Sequence, residues 1–279
     1  MKYKIILVVC VTIVLIGGWL YFNNGVIGTT HYTITHQELP TNFSGFKIVH
    51  ISDFHNTDFG NNNNKDLVAM ITGENPDIIV ITGDMIDSRR TDIEISLAFA
   101  KEIQKIAPVY YVNGNHESRI AEYDKFEAQL QEIGVIVLSN ETQDLTINEQ
   151  SIQIVGLNDP DFYNINDKEY VEKQLELLIN QSDKSKFTIL LIHRPELFES
   201  YAEYGVDLSF SGHAHGGQIR LPFFGGIVAP DQGIFPKYDG GIYQIDDSYM
   251  VLSRGLGNSL FPLRVNNNPE LVVVELLAS

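Results

Sequence analysis

Short apolar runs alternate with amphipathic stretches along most of this chain. The runs predict strands over 47–52, 77–82, 109–113, 135–138, 152–156, 188–193, 207–211, 249–253 and 271–276. Alternation over 31–39 adds a first strand that ends at Pro40. Apolar positions at helical spacing recur over 64–72, 93–106, 120–133, 168–180 and 195–201. Strands that alternate with helices predict a layered α/β domain whose polar side chains collect at strand ends. The tract Asn61 to Asn64 reads as a solvated loop, and no internal repeat is visible.

The N-terminal pattern is different. After Met1-Lys2-Tyr3-Lys4, residues 5–22 carry no charge, and the next charged side chain is Glu38. That length suffices to span a bilayer, with Trp19, Tyr21 and Phe22 as interfacial anchors at its far end. A cleaved signal peptide is the rival reading, with Val26-Ile27-Gly28 as a passable but late cleavage site. Lys2 and Lys4 favour a cytoplasmic N-terminus, which leaves the body outside. The expected organisation is a transmembrane anchor over 1–23, a linker and first strand over 24–45, and a catalytic domain over 46–279. The expected location is the cell membrane, single-pass, with the body extracytoplasmic, or secreted if the segment is cleaved.

Charge narrows the partners. The chain holds 19 Lys and Arg against 36 Asp and Glu, a formal charge of −17. Such a field repels a phosphate backbone, so no nucleic-acid partner is expected. The one cysteine, Cys10, lies in the apolar N-terminus, which excludes a disulfide framework and a cysteine-type zinc site.

The candidate chemistry sits where apolar runs end. Ile78-Ile79-Val80-Ile81 leads through Thr82-Gly83 to Asp84, with Asp87 shortly after. The same grammar gives Asp53-Phe54-His55, Gly114-Asn115-His116-Glu117, His193, and Gly212-His213-Ala214-His215-Gly216-Gly217. Each motif alone has an ordinary explanation as a turn, a helix cap or a packed histidine. Together they supply carboxylate, imidazole and amide donors enough for two cations, and Asp84 has two oxygens with which to bridge them. That donor mixture suits Mn²⁺, Fe or Zn²⁺ better than Mg²⁺.

This ordered set of motifs resembles the calcineurin-like metallophosphoesterase superfamily, over most of the chain from about residue 46. Ser211 to Gln218 and the tail Ser253-Arg254-Gly255-Leu256-Gly257 with Pro269-Glu270 are similar to its bacterial membrane-associated branch, which includes phosphodiesterases and UDP-2,3-diacylglucosamine pyrophosphatases. The resemblance implies a four-layer α/β/β/α sandwich, here preceded by one transmembrane helix. It implies that Asp53, His55 and His215 hold one metal, that Asn115, His193 and His213 hold the second, and that Asp84 bridges. It further implies His116 as a general acid or transition-state donor, oriented by Asp87. In the family an arginine directly follows that acid, whereas Ser88 intervenes here, so Arg89 and Arg90 are left out of the catalytic set. Arg254 and Arg264 are weaker candidates for a phosphate contact, equally explained as surface charges.

The expected activity is metal-dependent hydrolysis of a phosphodiester, by a hydroxide bridging two divalent ions, on a membrane- or envelope-associated substrate that could be lipid-linked. A UDP-diacylglucosamine-type pyrophosphatase is the alternative. A non-catalytic metal-binding scaffold is disfavoured because every ligand type is retained. The run from Leu221 to Val228 reads either as a hairpin packed on the core or as an apolar lip beside the metals.

Overall fold

The computed structural model describes residues 2–163, 165–181, 185–258 and 263–279, without the side chains of Phe22, Asn61, Asn180 and Gln181. The chain runs through helix α1 (Lys2–Gly25), β1 (Gly28–His36), β2 (Phe46–Ile51), α2 (Lys65–Glu74), β3 (Ile78–Thr82) and α3 (Ile93–Ile103). There follow β4 (Val109–Val112), α4 (Tyr123–Ile133), β5 (Ile136–Val137), β6 (Glu141–Ile147), β7 (Gln150–Gly156) and α5 (Asp167–Gln181). Then come β8 (Thr188–Leu191), α6 (Phe198–Glu203) and β9 (Leu208–Ser211). Two small hairpins follow, β10 (Arg220–Leu221) with β11 (Gly225–Gly226), and β12 (Val228–Ala229) with β13 (Gly233–Ile234). The chain closes with β14 (Gly241–Ile245), β15 (Ser248–Leu252) and β16 (Glu270–Ala278).

The larger strands form two six-stranded sheets, ordered β1-β16-β2-β3-β4-β5 and β14-β15-β9-β8-β7-β6. In β3 the residues alternate between two cores. Ile79 and Ile81 join Leu67, Ile71, Leu97, Phe99, Phe126 and Leu130 of the helices on one face. Ile78 and Val80 face the second sheet, against Ile154, Ile189, Leu191 and Phe210. Successive strand side chains point to opposite faces, so a strand sandwiched on both sides must be apolar throughout. A third core packs α5 and α6 on the outer face of the second sheet, through Val171, Leu175, Phe198 and Tyr201 against Val155 and Leu190. Three cores between four layers make the α/β/β/α sandwich, with one apolar helix ahead of it. α1 is long and apolar enough to cross a membrane, and none of its apolar window is buried.

Differences from the sequence expectations fall at edges. β6 and β14 were not legible as strands because each pairs on one side only and fully buries none of its residues. β1 starts at Gly28, three residues before its alternating pattern, because its parallel pairing with β16 begins at Gly28 opposite Glu270. Helix α4 starts at Tyr123, since residues 117–119 form a 3-10 turn instead. Asn64 is buried rather than solvated: its side chain bonds the Phe59 N–H and the Thr57 carbonyl ahead of α2.

Candidate metal centre

β2, β3 and β4 are parallel neighbours in the first sheet, and β7, β8 and β9 in the second. Their carboxyl ends therefore open on one edge of the sandwich. The loops that leave them carry Asp53 and His55, Asp84 and Asp87, Asn115 and His116, His193, and His213 with His215. All of these side chains are buried. His193 Nδ1 meets the Thr82 carbonyl at 2.7 Å, and the His213 amide donates to the Asp53 carboxylate, so the two sheets are tied together at the site itself.

Compact donor geometry requires sharp turns. Asp53, His55, Asp84, His213 and His215 all hold positive φ, between 48° and 68°. For residues with a Cβ this costs about 1–3 kcal/mol each, offset by fixed hydrogen bonds. The His55 amide donates to the Asp84 carbonyl at 2.9 Å, and the His116 amide donates to Asp84 Oδ1 at 2.9 Å. Gly212 is obligatory for a different reason: a Cβ there would lie 1.8 Å from Ser52 Oγ and 2.5 Å from Asp53 Oδ2.

Two donor clusters result, one from Asp53, His55, Asp84 and His215 and one from Asp84, His193 and His213. Asp84 belongs to both. Its Oδ2 stands 3.3 Å from His193 Nε2 and 3.7 Å from His55 Nε2. His55 Nε2 faces His215 Nε2 at 3.3 Å, and His193 Nε2 faces His213 Nδ1 at 3.2 Å. The Asn115 carboxamide lies between the Arg119 guanidinium and the two imidazoles, 3.0 Å from His213 Nδ1 and 3.3 Å from His193 Nε2. Ring nitrogens thus face one another in two pairs around the Asp84 carboxylate. Imidazole and carboxylate donors converging in this way fit divalent metal ions.

Without a cation the electrostatics divide the ligands. Burial would raise the pKa of Asp84, but the charge of His193 and its hydrogen bond hold it well below the usual range. Burial drives His55 down to about 3 and His215 well below its ordinary value, leaving both imidazoles neutral and able to ligate. His193 moves the other way: burial is outweighed by the Asp84 carboxylate, and its pKa rises to about 10.

His116 is held differently from the expectation. Asp87 Oδ1 lies 3.8 Å from His116 Nδ1, beyond a hydrogen bond. Nδ1 instead accepts from the Ser88 amide at 3.0 Å, with the Ser88 hydroxyl at 3.2 Å. A ring that accepts at Nδ1 carries its proton on Nε2, and Nε2 faces Asp84 Oδ2 at 3.9 Å. Burial lowers the His116 pKa against the pull of Asp84 and Asp87, which keeps the ring neutral. Asp87 itself accepts from the Arg89 amide at 2.9 Å and from the Arg90 guanidinium at 2.8 and 3.0 Å.

Three residues matter that the motifs did not single out. Glu117 is fully buried and accepts backbone N–H bonds from Asp84, Gly114 and Ile86 at 2.9, 2.8 and 3.1 Å. Burial and the Asp84 charge push its pKa up to about 8. Its place in Gly114-Asn115-His116-Glu117 was the available signal. Asp231 accepts from His213 Nε2 at 2.8 Å and from Arg194 Nη1 at 2.6 Å, and Arg194 is buried between Asp159, Asp161 and Asp231. Nothing local in sequence marks that network. Arg264, expected at the surface, is fully buried: it donates to the carbonyls of Arg254 and Gly257 and lies 3.4 Å from His215 Nδ1. The cleft above the two clusters encloses roughly 530 Å³ and is lined by Arg89, Arg119, Gln218, Val228 and Pro230 among others.

Buried metal-type donors gathered at one edge of a four-layer sandwich fit a metal-dependent phosphoesterase. The calcineurin-like phosphoesterase family profile matches residues 46–217, and the chain belongs to that family. It is a metallophosphoesterase, a phosphoric ester hydrolase of a family that binds divalent metal ions. An uncharacterized metallophosphoesterase of Bacillus subtilis strain 168, YkuE, is 32% identical over 265 residues, 92% of this chain and 87% of that protein. Phosphodiesterase YaeI of Escherichia coli K12 is 26% identical over 245 residues, covering 85% of this chain and 84% of its own length. Among solved structures, TT1561 of Thermus thermophilus superposes with a TM-score of 0.52 at 13% identity, over 75% of this chain and 89% of that one.

Proposed function

We propose that this chain is a membrane-anchored phosphodiesterase with a dinuclear metal centre. Residues 1–23 form the anchor, 24–45 the linker and first strand, and 46–279 the catalytic domain. Asp53, His55 and His215 hold one divalent cation, Asn115, His193 and His213 hold the other, and Asp84 is shared. Mn²⁺, Fe or Zn²⁺ suits these donors. The observation that carries the reading is the single Asp84 carboxylate within reach of both imidazole clusters. When bound, the two cations supply Lewis acidity and a water acidified enough to attack at neutral pH.

The remaining work falls to the chain. His116 presents Nε2–H over the cleft, where it donates to a phosphoryl or leaving oxygen as charge develops. Ser88 fixes the tautomer that makes this possible, and Asp87 positions the 88–90 turn that carries Ser88. Arg89 and Arg119 at the cleft wall favour an anionic substrate. Diesters are supported by the name of the Escherichia coli relative, and the extracytoplasmic orientation by Lys2 and Lys4 ahead of the apolar helix.

The test is hydrolysis of bis-p-nitrophenyl phosphate and p-nitrophenyl phosphate by detergent-solubilised protein, metal-stripped and then given Mn²⁺, beside Asp84→Ala. Manganese-dependent turnover with the diester preferred, lost in the variant together with bound metal, is expected. A chain that binds no metal, or an Asp84→Ala enzyme that keeps its activity, would overturn the reading.

A further inference from the structure

Large apolar side chains that the cores leave out gather in two places. One is α1. The other is the pair of hairpins beside the cleft, where Phe223 is 104% exposed, Phe224 76%, Ile234 72% and Phe235 63%. Among the described residues outside α1, these four alone of the large apolar side chains are more than half exposed. Water does not favour four such groups exposed on two successive hairpins, and exposed apolar surface of this kind marks contact surfaces.

The hairpins are tied to the end of α1. Asn24 bonds both backbone groups of Arg264, accepting from its N–H at 2.7 Å and donating to its carbonyl at 3.0 Å. The next residue, Val265, bridges to Ile219, and its carbonyl accepts from the Arg220 amide at 2.9 Å. Arg220 and Leu221 pair with β11, and the Ile227 amide donates to the Ile219 carbonyl at 2.9 Å. The Phe235 amide then donates to the Ile227 carbonyl at 2.7 Å. The hairpins are thus fastened to the end of α1 through Arg264 and Val265.

Charge separates this surface from the rest of the chain. Residues 218–239 contain Arg220, Lys237, Asp231 and Asp239, a sum of 2 − 2 = 0 in a chain of −17. Asp239 pairs with Arg220 and bonds the Gly226 amide, and Asp231 is paired with Arg194 and His213 at the cleft. An anionic lipid surface that would repel most of the body meets no net negative charge here.

We propose that the two hairpins are a second membrane contact, seating Phe223, Phe224, Ile234 and Phe235 in the interfacial layer of the bilayer that α1 enters. The cleft, walled on one side by Gln218, Ile219, Val228 and Pro230 of the same segment, then opens at the lipid surface. This deepens the preceding reading and rests on its assignment of α1 as a membrane anchor.

The test uses the full chain in vesicles of phosphatidylethanolamine and phosphatidylglycerol, with Cys10→Ser and single cysteines at Phe223→Cys, Phe235→Cys, Trp19→Cys and Lys105→Cys, each spin-labelled. Power saturation with oxygen and a nickel chelate reads depth. Labels at 223 and 235 are expected to match the Trp19 position, oxygen-accessible and nickel-shielded, while Lys105 behaves as water-exposed. Labels at 223 and 235 that behave like Lys105 overturn the proposal. So does shielding from both reagents with spin–spin broadening, which would place a second copy of the chain there. A second readout tolerates a failed cysteine variant: Phe223→Trp in a Trp19→Phe background should be quenched by brominated lipid, and an unquenched signal refutes docking. Each variant is also assayed on soluble bis-p-nitrophenyl phosphate. Wild type inert on that ester with Mn²⁺ would undo the phosphodiesterase reading while the depth measurement still decided the docking.

Discussion

Glu117 offers the sharpest test of how the site is held. Its carboxylate lies in the core with no exposure and accepts three amides: Oε2 those of Asp84 and Gly114, Oε1 that of Ile86. Glu117→Ala orphans all three donors. At about 1–3 kcal/mol per buried unpaired group, and with some relief from a water entering the space, the loss is roughly 3–6 kcal/mol. Glu117→Gln keeps one oxygen, which can retain Asp84 and Gly114 while its NH₂ opposes the Ile86 amide, so one donor is lost at about 1–3 kcal/mol. For a chain of this size these translate to falls in Tm of roughly 8–15 °C and 3–6 °C. Calorimetry of metal-stripped and Mn²⁺-loaded protein measures both, and titration with Mn²⁺ should show the alanine variant at least about tenfold weaker, because Asp84 is no longer fixed. There is also a pH signature. The folded pKa near 8 stands above the unfolded value of 4.5, so the folded metal-free protein binds this proton more tightly. That stability is complete below about pH 4.5 and is lost as pH rises towards 8, so the gap between wild type and Glu117→Gln narrows over the same window. An alanine variant within 1 kcal/mol of wild type, or a glutamine variant as damaged as alanine, refutes the reasoning.

Other outcomes follow from the same geometry. Gly212→Ala should lose metal binding and at least about 3 kcal/mol of stability, since its Cβ meets Ser52 Oγ and the Asp53 carboxylate; a folded, fully loaded variant would contradict this. His116→Gln should keep its metal content but lose about 10²- to 10⁴-fold in kcat on an alkyl diester, and less on a nitrophenyl ester whose leaving group needs little help. Equal losses on both esters would remove His116 from the leaving-group side. Asp231→Ala frees His213 Nε2 and leaves Arg194 one carboxylate short, so Mn²⁺ affinity should fall about 10- to 100-fold; unchanged affinity in a titration would show that His213 needs no such support.

The sequence by itself determined the layers and the place of the chemistry. The run Ile78 to Ile81 has the pattern of a strand covered on both faces, and its continuation Gly83-Asp84 leaves that strand at its carboxyl end. The same logic read from Val49, Val112, Ile192 and Phe210 brought every donor motif to one edge, because parallel strands share their carboxyl ends. Local pattern is informative there, since period and run length are properties of neighbouring residues. The tertiary structure decided the rest. Edge strands β6 and β14 bury too little to leave a pattern, so only pairing defines them. Whether Glu117 was a surface cap or the buried clamp of Asp84 depended on a loop 31 to 33 residues away. Asp231 reaches His213, and Ser88 displaces Asp87 at His116, through contacts across the cleft that no spacing encodes. Arg264 looked like a surface cation, yet it lies buried against His215 and is held by the end of α1. Burial and long-range hydrogen bonding are properties of the assembled layers, and a linear pattern carries them only where the partners happen to be close in sequence.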